Sequence, residues 1–139
     1  MAVATYKFEV STQGYSDIID VSDQVQDLVK RSGLKEGLAT VFVPGATAGV
    51  TTIEYEAGLV SDLKAALEKL APQGASYAHD SRWGDGNGFS HIRAALLKAS
   101  LTVPFSKGRL TTGTWQQIVI VDCDNRARRR QIIVQLTGE

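Results

Sequence analysis

The sequence predicts an α+β fold: mostly antiparallel β-sheets in a sandwich-like arrangement, with two to three helices. Two observations predict it. Strand-like segments outnumber helical ones, and the two kinds do not alternate one to one as a doubly wound sheet requires. No glycine-rich phosphate loop of the Rossmann or Walker type joins a strand to a helix. With 139 residues and 43% hydrophobic content, the chain reads as a single domain, 1–139, able to bury most of its apolar surface without a staple.

The elements follow in order. Tyr6–Val10 alternate aromatic and polar residues, the period of a strand, and Gln13-Gly14 breaks it. Ile18–Val21 is a second, short strand. Asp20 or Ser22 can cap the helix that follows, because either side chain accepts a bond from a free backbone N–H. Val21, Val25, Leu28 and Val29 share one face of that helix, and Gly33 stops it. Leu38–Pro44 is a continuous apolar run, as in a strand covered on both faces. A small-residue turn, Gly45 to Gly49, leads to the β-branched segment Val50–Tyr55, which is expected to pair with the strand before it. A second helix opens at Gly58 with Leu59, Leu63, Leu67 and Leu70 near one face, and Pro72–Gly74 end it. Ser76 to Asn87 lack a core pattern and read as a long polar loop. A third helix is expected at Ser90–Ala99, with Ile92, Leu96 and Ala99 inward. Leu101–Pro104 and Arg109–Thr112 flank a turn at Ser106–Gly108 and suggest a hairpin. Gln117–Asp122 and Arg130–Leu136 suggest another, turning at Asp124-Asn125.

Charge and cysteine content narrow the partners. Lysine plus arginine number 15, as do aspartate plus glutamate, so no overall field draws the chain to nucleic acid or membrane. The single cysteine, Cys123, excludes an intrachain disulfide and a cysteine-rich zinc site and fits a reducing compartment. No basic n-region precedes a long apolar stretch, and no apolar run approaches the roughly 20 residues that span a bilayer. These readings predict a cytoplasmic protein with neither nucleic-acid nor membrane partners.

The segment His79–His91 is the most informative. It holds both histidines, Asp80 and Asp85, Asn87, Arg82, Trp83 and three internal glycines before Phe89. Histidine titrates near neutral pH and can relay protons or bind a metal. A polar loop entering a helix also offers free N–H groups to an anion. The alternative is a surface loop of ordinary turn residues. His79 and His91 stand twelve apart, which is not a recognised metal spacing, and only Asp80 and Asp85 are near in sequence as further ligands.

Four other features have two readings each. Glu54 ends an apolar strand, where it is either a rim residue or a paired charge. Thr111–Gln117 either line a polar pocket or form the wet face of an edge strand. Arg126, Arg128, Arg129 and Arg130 either bind phosphate or nucleic acid or sit on a solvated hairpin turn. Cys123 has no histidine within 30 residues and reads as a small buried strand residue.

The strings G-D-G-N-G-F-S-H-I-R (residues 84–93), K-G-R-L-T-T-G-T-W-Q-Q (107–117), V-F-V-P-G-A-T-A-G-V-T-T-I-E-Y-E (41–56) and the terminal R-R-R-Q-I-I-V-Q-L-T-G-E resemble the YjbQ family in order and spacing over nearly the whole chain. The resemblance implies an antiparallel α+β fold, a homotrimer and a polar pocket near the subunit contacts. It also implies a secondary thiamine-phosphate synthase type of activity, joining a pyrimidine diphosphate to a thiazole phosphate, or else a non-catalytic binder of a small phosphorylated metabolite. On that basis His91, His79 and Asp85 are the candidates for chemistry. Glu54, Asn87, Ser90, Arg93, Trp83, Trp115 and Gln116 are the candidates for holding the ligand, with Arg82 as a further cation. Many members carry histidine where this chain has Gly45 and Phe89, which leaves few nitrogen ligands. No tightly bound metal or cofactor is therefore expected, and Mg²⁺ is expected only in company with a diphosphate substrate.

Overall fold

The computed structural model describes all residues, Met1–Glu139. Its strands are β1 (Ala2–Thr12), β2 (Asp17–Asp20), β3 (Gly37–Phe42), β4 (Ala48–Ile53), β5 (Ser100–Ser106), β6 (Arg109–Leu110), β7 (Gln117–Asp122) and β8 (Arg128–Gly138). Its helices are α1 (Ser22–Ser32), α2 (Ala57–Leu70), α3 (Ala78–Trp83) and α4 (Gly88–Leu97). All strand pairs are antiparallel, as expected. They form a five-stranded sheet, β1-β8-β3-β5-β6, and a three-stranded sheet, β2-β7-β4.

Alternation in the strands builds the layers. Val10, Ala39, Val41, Val103, Phe105, Ile132, Val134 and Leu136 of the large sheet meet Val50, Ile118 and Ile120 of the small one. Val25, Leu28 and Val29 of α1 close the same core. The other face of β7, Val119 and Val121, packs with Ile18 and Cys123 under Leu67, Leu63 and Val60 of α2 and Leu97 of α4. Strand β7 is thus apolar from Ile118 to Val121 because both of its faces are covered.

Several boundaries agree with the sequence reading. Gly33 ends α1 in the left-handed region at φ 76°. The cap differs from the expectation of Asp20 or Ser22: the N-cap residue is Val21, with Asp20 Oδ1 accepting the Ser22 N–H at 2.9 Å just before the helix. The β5–β6 hairpin turns on Lys107 and Gly108, both at positive φ.

Other expectations are corrected. Val50–Ile53 do not pair with β3; they pair with β7 in the other sheet. β7 and β8 are not a hairpin either, because the chain crosses between sheets at residues 123–127. Leu38 and Phe42 are more than two-fifths exposed, so β3 is covered on one face only within the single chain. Residues 78–83 are helical, making four helices. In α4 the inward residues are Phe89, Ser90, Arg93 and Ala94, whereas Ile92 and Leu96 are about half exposed. The reason is that Arg93 finds partners inside, which an apolar-periodicity reading cannot foresee.

Candidate functional site

The polar segment is folded by one glycine and one carboxylate. A Cβ on Gly88 would stand 2.5 Å from the Cβ of Tyr77, so only glycine lets the start of α4 approach α3. Asp80 Oδ1 then accepts the Gly88 N–H at 2.8 Å and ties the two helices together. This brings the His79 and His91 rings to 4.4 Å between centroids, tilted by 43°. His79 Nδ1 lies 3.4 Å from Asp80 Oδ1 and 3.5 Å from Asp85 Oδ1. One imidazole nitrogen and two carboxylate oxygens lie within 4.8 Å of one another, the only such group of potential metal ligands in the chain.

Asp85 also lines a polar cavity of about 340 Å³ with Asn87, Asp124, Asn125, Arg126 and Arg128. The far wall is the crossover between β7 and β8, held against the loop by Asn125 Nδ2 donating to the Asp85 carbonyl at 2.9 Å. Asn87 Nδ2 points to Asp124 Oδ1 at 3.4 Å. Asn87 Oδ1 and Ser90 Oγ are buried and have no hydrogen-bond partner in the chain, an uncommon state for buried polar atoms.

A buried ion network supports that wall. Arg130 Nε and Nη2 donate to the two oxygens of Asp122 at 2.7 and 2.9 Å, and Nη2 donates to Thr47 Oγ1 at 2.7 Å. Thr12 Oγ1 donates to Asp122 Oδ2 at 2.6 Å. Arg128 Nε and Thr47 Oγ1 donate to Asp124 Oδ2 at 2.7 and 3.1 Å. Burial by itself would raise the Asp124 pKa. The Asn125 N–H, Arg128 and Asn87 outweigh it and hold the carboxyl below its ordinary 3.8.

The remaining expected residues are placed as follows. Arg93 is buried and committed: Ala71 O accepts from Nε and Nη2 at 3.1 and 3.0 Å, Ser16 Oγ from Nη1 at 3.0 Å, and Glu68 from Nη2 at 2.5 Å. The cations that do line the cavity are Arg126 and Arg128, from a turn that sequence reading left ambiguous. A pair of arginines after a buried Asp-Cys-Asp is the signal that points to them. Trp83 is 65% exposed, with the Arg82 guanidinium 5.2 Å from its ring centre. Glu54 is exposed, and so is Trp115. Gln116 lines a separate cavity of about 180 Å³ with Thr52, Thr102, Thr111 and Thr112; none of the His79–His91 residues lines it. Cys123 is fully buried, and burial pushes its thiol up to about 11, so it is no nucleophile at neutral pH.

A family profile described as "UPF0047 protein YjbQ-like" matches residues 6–139. The chain belongs to the YjbQ family. A UPF0047 protein of Methanothermobacter thermautotrophicus is 35% identical over 139 residues, covering all of this chain and 95% of the relative. One of Archaeoglobus fulgidus is 38% identical over 120 residues, covering 86% and 91%. Among solved structures, a "YbjQ-like protein of unknown function" from Sulfolobus solfataricus aligns over 99% of this chain and 100% of its own, with TM-score 0.89 and 30% identity. A hypothetical protein from Aeropyrum pernix aligns over 98% and 99%, with TM-score 0.90 and 31% identity. These neighbours share the α+β architecture described above. The two positions where many YjbQ members carry histidine have distinct environments here. Phe89 is buried, stacked 6.4 Å from the Tyr15 ring and 4.9 Å from the Arg93 guanidinium. Gly45 sits at φ 112°, where a Cβ would meet Arg130 Nη1 at 3.0 Å. No helix is long and apolar enough to cross a membrane.

Proposed function

We propose that this YjbQ-family chain is an enzyme of the secondary thiamine-phosphate synthase type, acting on small phosphorylated substrates. The observation that carries the reading is the double membership of Asp85: it belongs to the imidazole–carboxylate group and to the cavity walled by Arg126 and Arg128. Asp85 thus joins the imidazole–carboxylate group to a cavity wall that carries two cations. In the reaction, the thiazole nitrogen attacks the methylene of the pyrimidine diphosphate. The new C–N bond forms as the C–O bond breaks, and diphosphate leaves with the electron pair. Arg126 and Arg128 stabilise the charge on that leaving group, and Mg²⁺ arrives with it. His91 gives its proton to the departing diphosphate oxygen as the C–O bond breaks, with His79 packed against it. Asn87 and Ser90 offer polar contacts at the start of α4, and Trp83 an exposed ring for stacking.

The experiment is incubation of the purified protein with the pyrimidine diphosphate and the thiazole phosphate, with measurement of thiamine phosphate and diphosphate release. Equal amounts of the two products, with a raised KM in Arg126→Ala, support the reading. Tight binding of the diphosphate without product favours the binder instead, a reading supported by the buried, unpartnered Asn87 Oδ1.

The same reading includes a homotrimer, in which Glu54, Trp115 and Gln116 serve the ligand across a subunit contact. Its support is the outer face of the large sheet, where Val3, Leu38 and Phe42 are exposed, an apolar surface of the kind that marks contact sites. Light scattering is expected to give three times the 15.0 kDa of one chain; a mass of one chain counts against it.

A further inference from the structure

We propose that His79, Asp80 and Asp85 form a site for one exchangeable first-row divalent metal ion, of the Zn²⁺ class. The distances fit. His79 Nδ1 is 3.4 Å from Asp80 Oδ1 and 3.5 Å from Asp85 Oδ1. Ligand atoms about 2.1 Å from a tetrahedral ion stand about 3.4 Å from one another. Both separations from His79 therefore match such an edge, and all three atoms lie within 4.8 Å of one another.

The charge fits as well. Two carboxylates and a neutral imidazole give the site a formal charge near −2, which a dication neutralises. One nitrogen with two oxygens suits zinc, cobalt, iron or manganese better than the all-oxygen shells of calcium and magnesium. Three protein ligands leave a fourth position for water or substrate, the composition of catalytic and not of structural zinc sites.

The scaffold is specific. Asp80 is oriented by the Gly88 N–H at 2.8 Å. Asp85 is presented between Gly84 and Gly86, both at positive φ. The His79 ring is braced by the His91 ring at 4.4 Å. A separate observation also points to a ligand: Asn87 lines the same cavity as Asp85, and its buried Oδ1 has no donor in the chain. Asp85 is the ligand that the ion shares with that cavity, whose cations are Arg126 and Arg128. Asp85 is half exposed, so the ion exchanges with solvent and is removed by chelators.

The site is tested with metal alone, so its outcome is separable from the transferase reading. Chelator-treated protein is titrated with Zn²⁺ by calorimetry and with Co²⁺ by visible absorption. One ion per chain is expected, with a Co²⁺ band of low-symmetry coordination. Asp85→Asn and His79→Gln are each expected to weaken uptake by roughly 10–100-fold or more, since losing even an outer-shell partner costs that much. Asp85→Asn is the deciding variant if His79→Gln fails to fold, because the only side-chain contact of Asp85 is with His79. Absence of saturable uptake, or uptake unchanged in Asp85→Asn, overturns the proposal and leaves an ordinary imidazolium–carboxylate cluster.

Discussion

Arg130→Met is expected to lower the unfolding free energy by about 3–5 kcal/mol, the usual loss when one partner of a buried ion pair is removed. Asp122 has no exposed surface. Its two oxygens accept from Arg130 Nε and Nη2, and without them it keeps only the Thr12 hydroxyl and the Asp124 N–H. A buried carboxylate so reduced is poorly solvated. Urea unfolding followed by circular dichroism measures the change. The double variant Asp122→Asn, Arg130→Met removes the stranded charge and is expected to recover part of the loss. Equal losses in the single and double variants sink this account. Acid provides a related check. The Asp124 carboxyl is held below its ordinary 3.8, so the unfolded chain binds its proton at higher pH than the folded one. Its stabilisation is complete above the unfolded value and is lost as pH falls through the folded one. Asp124→Asn is therefore expected to flatten the stability profile below pH 3.8, whatever it does at neutral pH.

His91→Gln is expected to lower turnover by about 10²–10⁴-fold, the range for loss of a general acid or base. It is expected to leave the melting temperature nearly unchanged, because the ring is partly exposed and its main neighbour is another exposed-edge imidazole. Steady-state kinetics and thermal melts on the same preparation separate the roles. If turnover persists while the melting temperature drops, His91 is a bracket for α3 and not a proton carrier. Phe89→His is a poor probe of the same question. Its ring is sealed between Tyr15 and Arg93, and an imidazole there enters the core rather than the site.

Local chemistry was readable where a residue acts through its own backbone or its nearest neighbours. Gly33 ends α1, Lys107-Gly108 turn β5 into β6, and Val25, Leu28 and Val29 share a buried face. Pairing across the sandwich was not readable. Val50–Ile53 and Gln117–Asp122 carry the same β-branched pattern whichever strand lies beside them, so sequence proximity suggested hairpins that the two-sheet topology does not contain. The His79–His91 segment was legible as a candidate site because it concentrates both imidazoles. Its helical middle was hidden by polar residues that no apolar stripe orders. Arg93 was misplaced for a physical reason: a buried guanidinium needs carbonyls and hydroxyls at matching positions, here Ala71 and Ser16. Those partners are 22 and 77 residues away and leave no periodic mark.

The pairing of β1 with β8 bears on how the chain reaches this structure. Ala2 faces Gly138 and Thr12 faces Arg128 along an unbroken antiparallel register. β8 is also the inner strand that joins β1 to β3. The central strand β3 therefore lacks one neighbour until β8 arrives, and the sheet lacks an edge until β1 and β8 meet. Ladders between distant segments close slowly, because the entropy of a long loop is lost before the bonds form. Among the ladders only β5–β6 is a tight local hairpin, and it is two pairs long. Refolding is accordingly expected to be limited by end-to-end search, in the millisecond-to-second range of nonlocal β topologies. Until that search ends, the apolar rows of β3 and β8 lack their partners and are open to a second copy of the chain.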